Sequence, residues 1–350
     1  MAKKKKTLPA NFYEQLEAKD LDSLKAVFNE CELNAYDRRS FKTPALSFYK
    51  IPLELMDWLI TQGADINARD EYERTPLHYH AQVNKVEKVA LLLEKGADIE
   101  AQDRYKNTPL LFAEYHAEVA ELLIEKGANI NVKDDKGHNV IERTLISARG
   151  GYLPKALKAI KIYLNAGLKP TKYAKERLTI IGEDFEFRRA DTDAEWLEEA
   201  DAALQELYKL FDVPPVPRRI QHDGKSAIIL AGHTWEEHYE QAWTLLVPGS
   251  GSATTVQGEV VRIAGRVNDE LLRNAMGNWN KEYRKMLTAI SGYLQQGNPL
   301  SESELAEVAD IQKHILEDDG TGSQRLCELA TAWVLQNPKP IALGEVNYKC

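Results

Sequence analysis

Thr43-Pro44-Ala45-Leu46, Thr75-Pro76-Leu77-His78 and Thr108-Pro109-Leu110-Leu111 stand 32 and 33 residues apart, and that spacing decides how the first half of the chain is read. Between them fall Gly63-Ala64-Asp65-Ile66-Asn67, Gly96-Ala97-Asp98-Ile99-Glu100 and Gly127-Ala128-Asn129-Ile130-Asn131, while Asp37, Asp70, Asp103 and Asp134 keep the same step. Three landmarks recurring together and in order mark one structural unit used several times. Each landmark has a physical job. Threonine offers an acceptor to the open N–H groups at a helix start, and proline fits the first turn, where no backbone donor is lost. Leu91-Leu92-Leu93 and Leu122-Leu123-Ile124 give a second helix its apolar face, and the glycine behind them ends that helix in a left-handed conformation. One such unit cannot bury its apolar face alone, so the units stack and the core runs through the stack.

The pattern resembles the ankyrin repeat, a unit of about 33 residues made of a β-turn and two antiparallel helices. The fold class that follows is all-α: an ankyrin-repeat solenoid of helix pairs with β-turn tips, followed by a compact helical domain. Asn11–Ala18 and Leu21–Asn29 read as a capping helix pair ahead of the array, and Tyr173–Ile181 as the start of a degenerate closing unit. About four repeats lie between these caps. The third, Thr108 to Gly127, is two residues shorter than Thr75 to Gly96, which predicts a tightened turn between its helices. The fourth opens on Asn139-Val140-Ile141 and carries an insertion through Ser147-Ala148-Arg149-Gly150-Gly151.

The chain divides on this reading into a disordered basic tip (1–9), the repeat domain with its caps (10–189), a connecting helix and Pro-rich linker (190–217) and a helical domain (218–350). Helical periodicity marks Asp193–Phe211, Thr234–Leu246, Thr255–Arg273, Asn280–Gln295 and Gln324–Leu335, and Ser301-Glu302-Ser303-Glu304 is a capping box. Ser226–Ala231 is the one strand-like stretch. Ile180, Phe185, Phe187, Trp196 and Phe211 need burial, which predicts that the helix Asp193–Phe211 packs against both halves and makes a composite face. Pro215 to Pro340 resembles the C-terminal module of uncharacterised bacterial ankyrin-repeat proteins through His222-Asp223-Gly224-Lys225, Leu246-Val247-Pro248, Thr255 to Glu259 with Arg262, Asn278-Trp279-Asn280 and Leu326 to Ala330. That resemblance implies a bacterial, cytoplasmic setting and assigns no activity to the module.

Composition narrows the function. Hydrophobic content of 43% with 28% charged residues is ordinary for a globular protein, and no apolar run approaches the roughly 20 residues that span a bilayer. The start Met-Ala-Lys-Lys-Lys-Lys-Thr-Leu-Pro lacks the apolar stretch of a secretory signal. Cys31, Cys327 and Cys350 are scattered and read as reduced thiols. Residues 1–170 carry about +1 and residues 171–350 about −10 of the net −9, which disfavours nucleic acid and suits a protein partner with a basic patch. Lys3 to Lys6 reads as a solvated tip, with a nuclear address or nucleic-acid arm as the alternative.

Signals of chemistry are weak. His233 and His238 are five apart, about 140° around a helix, off the single face that a zinc-binding pair needs. No cofactor or metal is expected. Gly249-Ser250-Gly251-Ser252-Ala253-Thr254-Thr255 lacks the lysine and preceding strand of a phosphate loop and reads as a turn with a threonine cap. Cys327 lies in an apolar stripe as an inert thiol. His78 stands at a structural position of the repeat, whereas His80 replaces the small residue that the resemblance implies. Gln257, Glu259, Arg262, Arg266 and Asn278 form a dense polar set, with Glu259, Arg262 and Arg266 on one helix face; they read as a salt-bridged packing face or as a ligand pocket.

The resemblance places partners on the concave side, at the tips and inner helices. Arg39, Tyr72, Arg74, Arg104, Tyr105 and His138 are the tip candidates, and Tyr49, Gln82, Glu114 and Tyr115 those of the inner helices. Tyrosine with arginine is common hot-spot chemistry, although Tyr72 and Tyr105 could equally stack on each other across the ladder. The expectation is a protein-binding module without catalysis. Its sharpest form is a bacterial immunity or antitoxin protein that occludes a toxic enzyme. The rivals are an enzyme or small-ligand sensor using the polar set of the second half, and a structural scaffold.

Overall fold

The computed structural model describes residues 3–18, 20–38 and 41–349. The chain forms two compact units: residues 1–182 with 194–215, and residues 183–193 with 216–350. The chain therefore passes between them three times.

The first unit opens with a short strand β1 (Lys5–Thr7) that pairs in parallel with β2 (Cys31–Tyr36) across α1 (Phe12–Ala18) and α2 (Leu21–Glu30). The basic tip read as disordered is thus ordered from Lys5. Leu8 is buried and its N–H donates to the Tyr36 carbonyl at 3.0 Å, which pins the segment, and the Lys5 ammonium meets Glu30 at 2.8 Å. The cap helices close edge-on through Phe12 and Phe28, with ring centroids 6.0 Å apart.

The repeats follow. In the first, Pro44 leads into a single 3₁₀ turn, Ala45–Ser47, because Pro52 stops any continuation before α3 (Leu53–Thr61). The second is α4 (Pro76–Gln82) and α5 (Val86–Glu94), the third α6 (Pro109–Ala113) and α7 (Ala117–Glu125), the fourth α8 (Val140–Ser147) and α9 (Leu153–Asn165). Val89, Leu92, Val119, Leu123, Ile141, Leu145 and Ile160 are buried along the stack, as the periodicity requires. Gly63, Gly96, Gly127 and Gly167 end the outer helices with φ between 90° and 103°. In the fourth repeat Asn139 and Glu142 form a reciprocal capping box, so the missing threonine and proline are replaced by another N-terminal cap.

The predicted tightening of the third repeat is real. With two residues missing, α6 is only five residues long and Glu114 turns at φ 32°. The insertion after α8 forms a 3₁₀ turn, Gly150–Tyr152. Next come α10 (Lys172–Arg188) and α11 (Ala194–Phe211). α11 buries Ala203, Leu204, Leu207 and Phe211 and packs on α9. Burial of every large apolar residue in this region does not hold: Phe185 and Phe211 are buried, but Ile180 is 48% and Trp196 56% exposed. Trp196 stands at the first turn of its helix, ahead of the buried stripe.

The second unit is built on α13 (Val256–Leu272), which packs against α12 (Trp235–Leu246), α14 (Lys281–Tyr293) and α16 (Thr321–Gln336), with α15 (Glu302–His314) laid on α14 and α16. Val260, Val261, Ile263, Ala264 and Val267 of α13 share one core with Met286, Ile290, Leu326, Leu329 and Trp333. The crossing with α12 is close because Gly265 has no side chain: a Cβ there would lie 2.3 Å from the Trp243 ring. Ser226–Ala231, read as strand-like, has no strand partner among the described residues. Ile228 is buried and donates to the Pro338 carbonyl at 2.7 Å, while Ile229 faces outward.

Candidate recognition surface

The tips are positioned by their aspartates. Asp70 Oδ1 accepts from the N–H groups of Tyr72 and Arg74, both at 2.8 Å. Asp103 does the same for Tyr105 and Asn107, and Asp134 for Lys136 and His138. A ladder then links consecutive tips: Glu71 N–H to the Phe41 carbonyl at 2.8 Å, Arg104 to Tyr72 at 3.0 Å and Asp135 to Tyr105 at 2.9 Å. This register places equivalent side chains one above the other.

An aromatic row results. Phe41 meets Tyr72 edge-on at 4.7 Å, and Tyr72 stacks on Tyr105 at 6.4 Å with the rings 28° apart. The Arg74 and Arg104 guanidiniums lie 5.1 and 4.8 Å from the Tyr72 ring. The two tyrosines therefore do stack across the ladder. Tyr72 is half-buried by that stacking, whereas Phe41 and Tyr105 remain 51% and 42% exposed.

Beside Tyr105 the inner face of the third and fourth repeats encloses a hollow of about 540 Å³, lined among others by Asn107, Glu114, Lys136, His138, Arg143 and Tyr173. Arg143 is its centre. It reaches Glu114 at 2.8 Å, Asp134 at 3.3 Å and the Asn107 side-chain oxygen at 3.2 Å. His138 stacks on Tyr173 at 5.2 Å. Burial pushes the Asp134 carboxyl up, but the His138 N–H and Arg143 more than offset this and leave it below the ordinary carboxylate range. The charged floor of the hollow is thus already paired.

The structure brings Tyr72, Arg74, Arg104, Tyr105, Glu114 and His138 to this region. It places Tyr49, Gln82 and Tyr115 elsewhere. Tyr49 packs on Tyr13 at 5.6 Å, and Gln82 is exposed with its carbonyl bonded to His116. Tyr115 lies 5.2 Å from Tyr152 of the insertion. Arg39 falls outside the described residues. Arg143, Tyr173 and Tyr152 also stand at this surface and were not among the candidates, and Phe41 lay in the first tip stretch without being singled out. Arg143 stands nine residues after Asp134, a recurrence shared by Tyr79 after Asp70, whose hydroxyl donates to that aspartate at 2.6 Å. That repeat-wise correspondence was the available signal.

The two repeat histidines are structural. His78 Nδ1 accepts from the Thr75 N–H at 3.1 Å, which leaves Nε2 to donate to the Asn107 carbonyl at 2.9 Å. His80 is fully buried and its Nε2 donates to the Leu46 carbonyl at 2.8 Å. Burial lowers each to about 4.

The polar set of the second unit does not open to a ligand. Gln257 is fully buried and binds the chain after α16, donating to the Asn337 and Lys339 carbonyls and accepting from the Ile341 N–H. Glu259 and Arg262 are a buried pair: Arg262 Nε donates to Glu259 at 2.9 Å, and the Tyr348 hydroxyl and Ala253 N–H complete the carboxylate. Asn278 is exposed and bonds Glu270, and Arg266 is half-buried outside this cluster. Of the two readings the geometry favours the packing one for three of the five residues: Glu259 and Arg262 pair with each other and Gln257 holds the chain after α16, while Arg266 and Asn278 stand apart from them. Thr255 caps α13, accepting from the Gly258 N–H at 3.1 Å, and Gly249 presses on the Phe187–Arg188 backbone. Burial pushes the Cys327 thiol up to about 11, so it is no nucleophile at neutral pH. His233 N–H bonds Glu237 at the start of α12, and among the described residues no three metal-ligand side chains gather.

Comparison with known proteins agrees with the tip-and-helix-pair architecture. The ankyrin-repeat family profile matches residues 45–134 as three copies. Over 110 residues, 30% of this chain, the sequence is 29% identical to a probable 26S proteasome regulatory subunit p28 of Saccharomyces cerevisiae. The match spans about half (48%) of that relative. Residues 45–134 are ankyrin repeats, and with them the chain carries a protein–protein interaction module.

Proposed function

We propose that the protein acts by holding another protein against the inner face of its third and fourth repeats, without catalysis. The observation that carries this reading is the row Phe41–Tyr72–Tyr105, interleaved with Arg74 and Arg104, running to the rim of the Arg143 hollow. Exposed aromatics held rigid by a backbone ladder lose little conformational freedom when a partner covers them. The chain's net charge of −9 supports a partner with a basic patch. The yeast relative is named as a regulatory subunit, which is in line with action through an assembly. In its narrower form the partner is a toxic enzyme and the chain its immunity protein; the acidic balance is what supports that form.

The test is affinity capture from the native host with the wild type and with Tyr72→Ala, Tyr105→Ala, both checked for folding. The double variant should lose the partner. A photo-crosslinking residue at position 105 should capture it, and one at the exposed Leu316 of the second unit should not. Equal recovery of the same partner by wild type and variant would refute the reading.

A further inference from the structure

The second unit carries a surface that the reading above does not use. Residues 216–231 run as irregular chain past α12, facing the end of α10, and enclose a groove of about 840 Å³. Its apolar lining is Phe187, Pro217, Ile220, Ile229, Leu230 and Leu245. Ile220 is 79% and Ile229 77% exposed, the two most exposed large hydrophobic side chains among the described residues. Exposed apolar side chains gathered in one groove are the mark of an interaction surface; scattered ones are not.

Three observations say what kind of partner fits. The first is charge. Glu183, Glu186, Glu237 and Glu240 line the groove against Arg218 and Arg219. Glu186 is engaged by Arg189 at 2.6 Å, and Arg219 is turned inward, stacked 4.0 Å over Phe187 and donating to the carbonyls of Phe187, Trp243, Thr244 and Val247. Glu183 and Glu240 remain as exposed acids on the rim, Glu237 is exposed there while accepting the His233 N–H, and the exposed Arg218 is a cation beside them. The second is the unit's own balance: residues 183–193 and 216–350 sum to about −7. Two copies would repel at this face, as would an anionic membrane. The third is backbone. Ser226–Ala231 has strand composition but no strand partner, and the Ile229 and Leu230 N–H groups donate to no described residue.

We infer that this groove docks an extended basic segment of a partner protein, with apolar side chains on Ile220 and Ile229 and lysine or arginine side chains on Glu183, Glu237 and Glu240. The Phe187–Arg219 stack fixes the floor, so the site is preformed. Backbone pairing with Ile229 gives such a segment its direction, and the rim acids give it its charge preference. The inference is independent of the repeat face.

The experiment titrates the full chain into a fluorescent peptide of about ten residues alternating valine and lysine, and into its valine–glutamate counterpart. The lysine peptide should bind saturably and the glutamate peptide should not. Ile220→Asp and Ile229→Asp change only exposed side chains, and each should weaken binding by about tenfold or more while far-UV dichroism and melting stay those of wild type. Glu183→Lys with Glu240→Lys should weaken it comparably and flatten its salt dependence. Tyr105→Ala should leave it unchanged, which separates this groove from the repeat face. The inference is overturned if the lysine peptide fails to bind wild type. It is also overturned if binding survives the aspartate substitutions, which would make it mere charge adsorption, or if Tyr105→Ala abolishes it.

Discussion

Replacing Arg262 by methionine distinguishes a packing cluster from a ligand pocket in the second unit. Arg262 and Glu259 are both essentially inaccessible to solvent. The substitution removes two guanidinium donors from the Glu259 carboxylate and leaves two, the Ala253 N–H at 2.9 Å and the Tyr348 hydroxyl at 2.6 Å. Stranding one member of a buried pair costs about 3–5 kcal/mol. The two surviving donors place this case near the lower end, at about 3 kcal/mol. The double variant Glu259→Gln, Arg262→Met removes both charges and keeps an amide oxygen for the Ala253 N–H, while the Tyr348 hydroxyl, 3.2 Å from the Tyr293 hydroxyl, turns its hydrogen there and accepts from the amide NH2. It should recover most of the loss, so the single effects should be strongly non-additive.

The pH dependence adds a second, independent sign. Burial pushes Glu259 up, but Arg262, Tyr348 and the Ala253 N–H outweigh it and hold the carboxyl below its ordinary value. In the wild type this depressed group stabilises the fold above the unfolded pKa of about 4.3, and the contribution is lost as pH falls through the lower folded value. Without Arg262 burial dominates and the folded pKa rises. The deficit of the variant is then largest at neutral pH and shrinks as acid neutralises the buried carboxyl. Urea unfolding in a Trp58→Phe, Trp196→Phe background reads the second unit alone, since the four remaining indoles lie in it. A deficit under about 1 kcal/mol, or one that grows as pH falls from 7 to 5, would refute the assignment.

Gly265→Ala should destabilise the second unit by about 1–3 kcal/mol, because its Cβ would lie 2.3 Å from Trp243; Gly292→Ala in α14, where the Cβ meets nothing within 4 Å, should not, and the same urea assay compares them. His78 and His80, each held near 4 by burial, should show no titration between pH 5 and 7 in nuclear magnetic resonance. Their depressed values mean that the unfolded chain binds more protons between about 4 and 6.5, so the first unit loses stability as pH falls through that window, and His80→Leu should flatten the loss. A protease nick between Pro214 and Pro217 should leave the two fragments co-eluting on native gel filtration, because Phe187 on the upstream fragment is clasped by Arg219 and Trp243 on the downstream one; separation of the fragments would show the clasp to be too weak.

The helices and caps of the repeats were legible because they are local. Ser301 with Glu304 is a reciprocal contact three residues apart that spacing alone exposed, whereas Asn139 with Glu142 has the same spacing and was read only as a departure from Thr-Pro-Leu. The polar cluster of α13 was legible only as a helix face. Its closing partners, Asn337, Ile341 and Tyr348, lie about 80–90 residues downstream in irregular chain, where no periodicity betrays them. Ser226–Ala231 has the composition of a strand, yet strand propensity is realised only against a neighbour, and the fold supplies none. In the basic start the four lysines are exposed, as read, but the segment is not irregular: Leu8 is buried and its N–H bonds the Tyr36 carbonyl, a contact with residues nearly thirty positions on that no local pattern exposes.

The candidate hollow owes its existence to the place where the repeat is broken. Removing two residues from the third unit cuts α6 to five residues and turns Glu114 to φ 32°. In that conformation the Glu114 carbonyl no longer continues a helix. It accepts instead from the Tyr163 hydroxyl at 2.6 Å and from Thr144 at 3.1 Å, both of the fourth repeat. The Glu114 carboxylate turns to Arg143, which also holds Asp134 beneath the next tip. One shortened turn thus ties the inner helix of one repeat to both helices and the tip of the next. Compensating the shortfall, the insertion after α8 brings Tyr152 against Tyr115. A regular stack would pack the same residues at each level and present the same surface. Here the deletion and the insertion, one repeat apart, make this level unlike the second repeat beside it, and departures from local regularity that the fold goes to such lengths to satisfy are where function is to be sought.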